Sequence, residues 1–351
     1  MVRPTLRVVA LAAFALSLAA AEAAGGGSGG NNASPAASGG SNPAAGGAAG
    51  PTASSAANDD SALTNGKVRI AEVDGDQGYR QPKTAVYADT RAKMMKRQVL
   101  EEYVKFLAPL KLPKTIWVYV DECDGGDSAS PYYSPDNRAL VMCYQFMKMM
   151  EDRAALITQA EAKNPNLFPM KVNRDGFLAG VFAGVILHET GHALFDVLDV
   201  PIIGREEDAA DEISTFVALQ FQPKLADVVV AAYSDVGETF DNPPTAAPDA
   251  KAADYPKDKT LQCFADPFCA FADVHGTWGQ RFYNTLCLMY GGDPQHYGFL
   301  LTGGWLPKNR DCPAEYALVR RAFVKTIYPF IDTDLMAKVQ ARAWFRSNEL
   351  K

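Results

Sequence analysis

Five consecutive residues, His188-Glu189-Thr190-Gly191-His192, carry the densest chemistry in the chain. Two histidines four apart point the same way on an α-helix, one turn above the other. That spacing lets two imidazoles share one tetrahedral metal ion. Glu189 lies beside them, where a carboxylate can take a proton from water on that ion. The chain has only four histidines, and two of them fall here. The plainer alternative for either one is a core histidine satisfied by hydrogen bonds.

The flanking residues predict the helix that must carry this pentad. Asn173 or Asp175 can cap its start, and Pro201 stops the pattern at the other end. Leu178, Val181, Val185, His188, His192 and Phe195 fall on one stripe, so the histidines continue an apolar face and look inward. Gly180, Gly184 and Gly191 weaken an isolated helix but admit a neighbouring backbone.

After the loop Val200 to Gly204, the acidic stretch Arg205 to Ser214 reads as the start of a second helix. Acidic side chains are favourable in a first turn. Glu207, Asp211, Ser214 and Ala218 share a face that can press on the first helix and present Glu207 to the metal. A catalytic zinc takes three protein ligands and keeps one open position, which His188, His192 and Glu207 would provide. Glu206, Asp208 and Asp211 are alternatives for the third ligand, because spacing does not separate them. Asp211 is also placed to accept from the far nitrogen of a ligating histidine and fix its orientation. The bland reading of the whole stretch is a solvated acidic helix start.

The segment HETGHALFDVLDVPIIGREEDAADEIST resembles the gluzincin metallopeptidases, where two histidines and a downstream glutamate hold zinc. With DVHGTWGQRFYNTLC and GGWLPKNRDCPAEY it is also similar to a family of exported bacterial proteins named as metallopeptidases, largely of unknown function. The likeness runs from Lys67 to about Arg346. It implies one Zn²⁺ per chain on His188, His192 and Glu207, Glu189 as general base, and Asp211 behind a ligand. It also implies that His275 donates a hydrogen bond to the developing oxyanion. Only fourteen residues separate His192 from Glu207, fewer than in the thermolysin type, so Glu207 is matched by its Glu-x-x-Ala-Asp pattern.

Other elements must position these groups. Lys67 to Ile70, Thr115 to Val120 and Arg138 to Cys143 read as strands, and Tyr87 to Leu107 as one amphipathic helix. Tyr144 to Lys163 reads as a helix leading to the pentad. The order of elements predicts an α+β, zincin-like (gluzincin-type) domain with a small sheet, an active-site helix and a C-terminal helical part. By the resemblance, Arg138 to Cys143 is the edge strand to which an extended substrate adds; an ordinary sheet strand is the alternative. Thr239 to Lys259, rich in Pro, Ala, Asp and Lys, reads as a long surface loop or lid.

Residues 1–23 read as a signal peptide: Arg3 and Arg7, an apolar run from Val8, and the small-x-small site Ala21-Glu22-Ala23. Residues 24–65 read as a Gly/Ala/Ser/Pro-rich disordered tether, and 66–351 as the metallopeptidase domain. Six cysteines behind such a leader suggest three disulfides, with neighbours favouring 123–143, 263–269 and 287–312. The last would tie a helix to the loop at Gly303-Gly304-Trp305. A net charge of −7 without a basic cluster points away from nucleic acid. The expectation is an exported protein, periplasmic or secreted, with no stable membrane span after signal cleavage. Its partner is a peptide or protein substrate, and oligomeric state leaves no mark in the sequence. The other reading is a non-catalytic, zinc-containing binding or scaffold protein on the same fold. A third is hydrolysis of a non-peptide amide by the same groups.

Overall fold

The computed structural model describes residues 63, 66–126, 129–163, 174–221, 225–227, 229, 276, 278–342, 344 and 345. Residues 1–23, the 239–259 loop, His275 and the Cys263–Cys269 pair lie outside them, as does most of 24–65. Leu63 is described and is buried against the core. The architecture is α+β: small sheets beside a helical majority.

The principal sheet has four strands: β1 (Val68–Ile70), β4 (Ile116–Asp121), β5 (Tyr132–Ser134) and β6 (Ala139–Cys143), in the order β1-β4-β6-β5. Strands β1, β4 and β6 are parallel; β5 returns antiparallel on β6, with Tyr133 opposite Leu140. Two short strands, β2 (Glu72–Val73) and β3 (Asp76–Gln77), form a separate hairpin. In β4, alternation puts Ile116, Val118 and Val120 into the core and leaves Trp117, Tyr119 and Asp121 half-buried.

This topology corrects the assignment of an edge to Arg138–Cys143. Strand β6 is paired on both sides, and all five of its residues are buried. Its run Ala-Leu-Val-Met-Cys has no polar alternation, the signature of a strand covered on both faces. Among the described residues, the edge on that side is β5.

The expected helix over 87–107 is two helices, α1 (Ala88–Arg97) and α2 (Val99–Phe106). Gln98 between them is left-handed (φ 56°, ψ 45°), and its backbone N–H caps α1 by donating to the carbonyls of Met94 and Met95. The break turns Leu100, Tyr103 and Phe106 into the core.

Helix α3 (Tyr144–Lys163) leads to α4 (Arg174–Leu198), which carries the pentad. α4 is long and apolar enough to cross a membrane by composition, and most of it is buried inside the protein. Burial extends around α4 rather than along a single stripe, because sheet and helices enclose it. It ends at Asp199, left-handed at φ 52°, just before Pro201. Helix α5 (Glu206–Phe221) packs along it. Helices α6 (Trp278–Gly292), α7 (Phe299–Thr302), α8 (Cys312–Thr326) and α9 (Thr333–Gln340) complete the C-terminal part.

Among the described residues, two disulfides fasten this frame. Cys123–Cys143 joins the segment after β4 to the end of β6. Cys287–Cys312 joins α6 to the first residue of α8. The second pairing matches the sequence expectation, but its far end is a helix start rather than the Gly303-Gly304-Trp305 loop. Two such bonds fit an oxidising compartment.

Candidate metal centre

The centre is built where α4 and α5 touch. Gly191 makes the contact possible: a Cβ there would stand 3.0 Å from Ala210 Cα and 3.1 Å from its Cβ. Two turns back along α4, Ser214 Oγ donates to the carbonyl of Gly184 at 3.0 Å. The small residues of both helices thus set their separation, as the shared face of Glu207, Asp211, Ser214 and Ala218 predicts.

At that separation three potential ligands converge. His188 Nε2 lies 3.2 Å from His192 Nε2 and 3.0 Å from Glu207 Oε2, and His192 Nε2 lies 3.4 Å from the same oxygen. Ligand atoms about 2.0–2.1 Å from a tetrahedral ion are separated by roughly 3.3 Å, so one metal fits among all three. The donor set, two imidazoles and a carboxylate, is the chemistry a divalent ion such as zinc accepts.

Each imidazole has its far nitrogen engaged. His188 Nδ1 meets Asp211 Oδ1 at 2.8 Å, and His192 Nδ1 meets Glu206 Oε1 at 2.7 Å. With Nδ1–H donating to a carboxylate, Nε2 presents its lone pair to the cluster. The adjacent glutamates therefore diverge: Glu207 turns to both Nε2 atoms, and Glu206 to the outside of His192. Asp208 is not in this group; its Oδ1 lies near Gly276.

The two outer carboxylates differ in setting. Glu206 is exposed, whereas Asp211 is buried and held by Arg281, with Nε to Oδ2 at 2.6 Å and Nη2 to Oδ1 at 2.7 Å. Burial alone would raise the Asp211 carboxyl; Arg281 and His188 hold it well below the usual carboxylate range instead. Sequence reasoning missed Arg281. Its one signal was a basic residue facing inward in the helix Trp278–Gly292, inside a stretch already matched by family resemblance.

Electrostatics at the histidines follow the same contacts. Burial would lower the His188 pKa, but hydrogen bonds to Asp211 and Glu207 push it up to about 9. His192 is also raised, since Glu207 and Glu206 outweigh its burial. Protonation of these imidazoles therefore competes with metal binding at the centre.

Glu189 is buried and faces the edge of the sheet. Burial raises its carboxyl pKa; the two histidines and the backbone N–H of Tyr133, which donates to it, pull the other way. The side chain of Tyr133 reaches past it, its hydroxyl donating to Asp196 Oδ2 at 2.6 Å. Strand β5 is thus tied to α4 at two points. From the opposite side, Tyr103 Oη and Thr190 Oγ1 lie 2.6 Å apart in the core, and Thr190 Oγ1 donates to the Ile186 carbonyl. Thr190 and Gly191, the two positions between Glu189 and His192, are both committed to packing.

Comparison with known proteins gives one match. The profile of a family described as "Putative metallopeptidase" matches residues 79–326, a span containing the whole centre. No curated protein and no solved structure matches the chain. That match covers well over half of the chain, which therefore belongs to this metallopeptidase family.

Proposed function

We propose that the chain is an exported zinc metallopeptidase with a zincin-like, gluzincin-type domain over residues 66–351, preceded by a leader (1–23) and a tether (24–65). The observation that carries this reading is the trio of His188, His192 and Glu207 at metal spacing with Glu189 beside it. Family membership and the two disulfides support it. His188, His192 and Glu207 would hold one Zn²⁺ and leave a position open. An ion held by these three side chains would supply Lewis acidity toward a scissile carbonyl and an attacking water.

The chain's own groups do the rest. Glu189 takes the proton of the attacking water and returns it to the leaving amine. Burial suits it to this by making the carboxylate a stronger base than it is in water. The extended substrate lies along β5, the open edge nearest Glu189, in place of the interior strand β6. His275, the neighbour of Gly276, is the proposed donor to the tetrahedral intermediate.

The test is metal content and peptide hydrolysis of the purified chain, with Glu189→Gln and His188→Ala beside it. About one zinc per chain is expected, weakened in His188→Ala and retained in Glu189→Gln. Cleavage of a peptide library should vanish in both variants. No zinc uptake by the wild type sinks the reading. A biological role that survives Glu189→Gln favours the non-catalytic scaffold. Turnover confined to non-peptide amides redirects the assignment to that substrate class.

A further inference from the structure

The two metal-facing histidines are supported unequally. His192 leans on Glu206, an exposed carboxylate. His188 leans on Asp211, whose two oxygens are both occupied. Oδ2 accepts from Arg281 Nε, and Oδ1 accepts from Arg281 Nη2 and from His188 Nδ1. The Arg281 and Asp211 side chains are 8% and 7% exposed, so water does not compete for these bonds. A fork gripping both oxygens leaves the carboxylate no free rotation. Its plane then sets the plane of the imidazole that donates to it.

We propose that Arg281 is a positioning residue of the metal centre: it clamps Asp211 so that His188 keeps Nε2 aimed at the ion. This rests on the zinc-site reading above. Arg281 lies on α6, outside the two helices that carry the ligands, and α6 is itself bonded to α8 through Cys287–Cys312. The C-terminal helices thereby control the stiffness of one ligand and not of the other. A plain packing bridge between α5 and α6 would hold the helices together without affecting the metal.

The experiment measures zinc dissociation constants of the full chain by chelator competition, for wild type, Arg281→Lys, Arg281→Met, Asp211→Asn, Arg281→Met with Asp211→Asn, and Glu206→Ala. Cobalt-substituted visible spectra and unfolding of the metal-free form are recorded beside them. Loss of the clamp should weaken zinc about 10–100-fold, as for other outer partners of metal ligands. Arg281→Lys keeps the cation but not the fork, so it should weaken zinc and shift the cobalt spectrum while remaining folded. Glu206→Ala should cost less. The double variant should bind no worse than Asp211→Asn alone, because Arg281 acts through Asp211.

The inference is overturned if folded Arg281→Lys binds zinc within twofold of wild type with an unchanged spectrum, or if the double variant's losses multiply. It is equally overturned if both Arg281 variants fail to fold without metal, since Arg281 would then be a structural staple. Failure of the wild type to bind zinc would instead remove the function proposed above.

Discussion

Gly191→Ala tests how the two ligand helices are spaced. The new methyl carbon would lie 3.0 Å from Ala210 Cα, 3.1 Å from Ala210 Cβ and 3.4 Å from the Ala210 carbonyl oxygen. Comfortable carbon contacts are about 3.5–4.0 Å, so the helices must part by roughly half an ångström. Ala210 is backbone-anchored in α5, three residues after Glu207, and Gly191 adjoins His192. The displacement therefore falls on the gap between Glu207 and the histidines. Overpacking of this kind costs about 1–3 kcal/mol. Replacing glycine by alanine inside a helix returns about 1 kcal/mol. The net loss of metal-free stability is therefore small, on the order of 0–2 kcal/mol. Metal binding has no such offset, because ligand distances tolerate only about 0.2 Å. Zinc affinity should fall by about 10–100-fold, or roughly 1.4–2.7 kcal/mol. Chelator competition and thermal unfolding of the metal-free protein measure both quantities on one preparation. Unchanged zinc affinity in a folded Gly191→Ala variant would refute the claim that this contact sets the ligand spacing.

Protons should compete with the metal. His188 is raised from 6.5 to about 9, so apparent zinc affinity should climb with pH and level off above about 9. Calorimetry in buffers of different ionisation heat should detect a released proton at pH 7, and none released would contradict it. The same shift gives metal-free protein a stabilising term that is full below pH 6.5 and lost as pH rises through about 9; urea titrations across that window read it. Replacing Cys287 and Cys312 by serine opens a bridge of sequence separation 25 and should cost about 3 kcal/mol, seen as a lower denaturation midpoint. Tyr133→Phe removes the 2.6 Å bond to Asp196 and should lower kcat/KM several-fold with little loss of stability. Unchanged kcat/KM would mean that the Tyr133 amide alone holds β5 in place.

The ligand helices were legible because their information is local. Two histidines one turn apart and an acidic first turn can be read from α4 and α5 without knowing their neighbours. The stripe read for α4 does not mark its buried face, since Leu178 and Val185 are only partly buried. What the sequence concealed was contact between distant segments. Arg281 is 70 residues from Asp211, and nothing in the spacing announces that pair. The divergence of Glu206 from Glu207 depends on how α5 is rotated against α4, which adjacent side chains do not encode. Strand β6 was recognisable as a strand, but its place inside the sheet depends on three-residue β5 folding back over it. Gln98, an ordinary helix former, ends α1 because burial of Leu100, Tyr103 and Phe106 outweighs local preference.

The shortness of the sheet's outer strands has a consequence for self-association. Both edges, β1 and β5, are three residues long. Each offers about 10 Å of ladder, where a longer flat edge would template another copy of the chain. Pro135 follows β5 directly and has no N–H with which to extend the ladder. Copies of a chain meet one another while still partly folded, when unpaired strand edges are exposed. Stubby edges make intermolecular sheet growth unrewarding at that stage. On the proposed function, a peptide along β5 would have only about three residues of backbone to pair with, which would leave sequence discrimination to side-chain contacts.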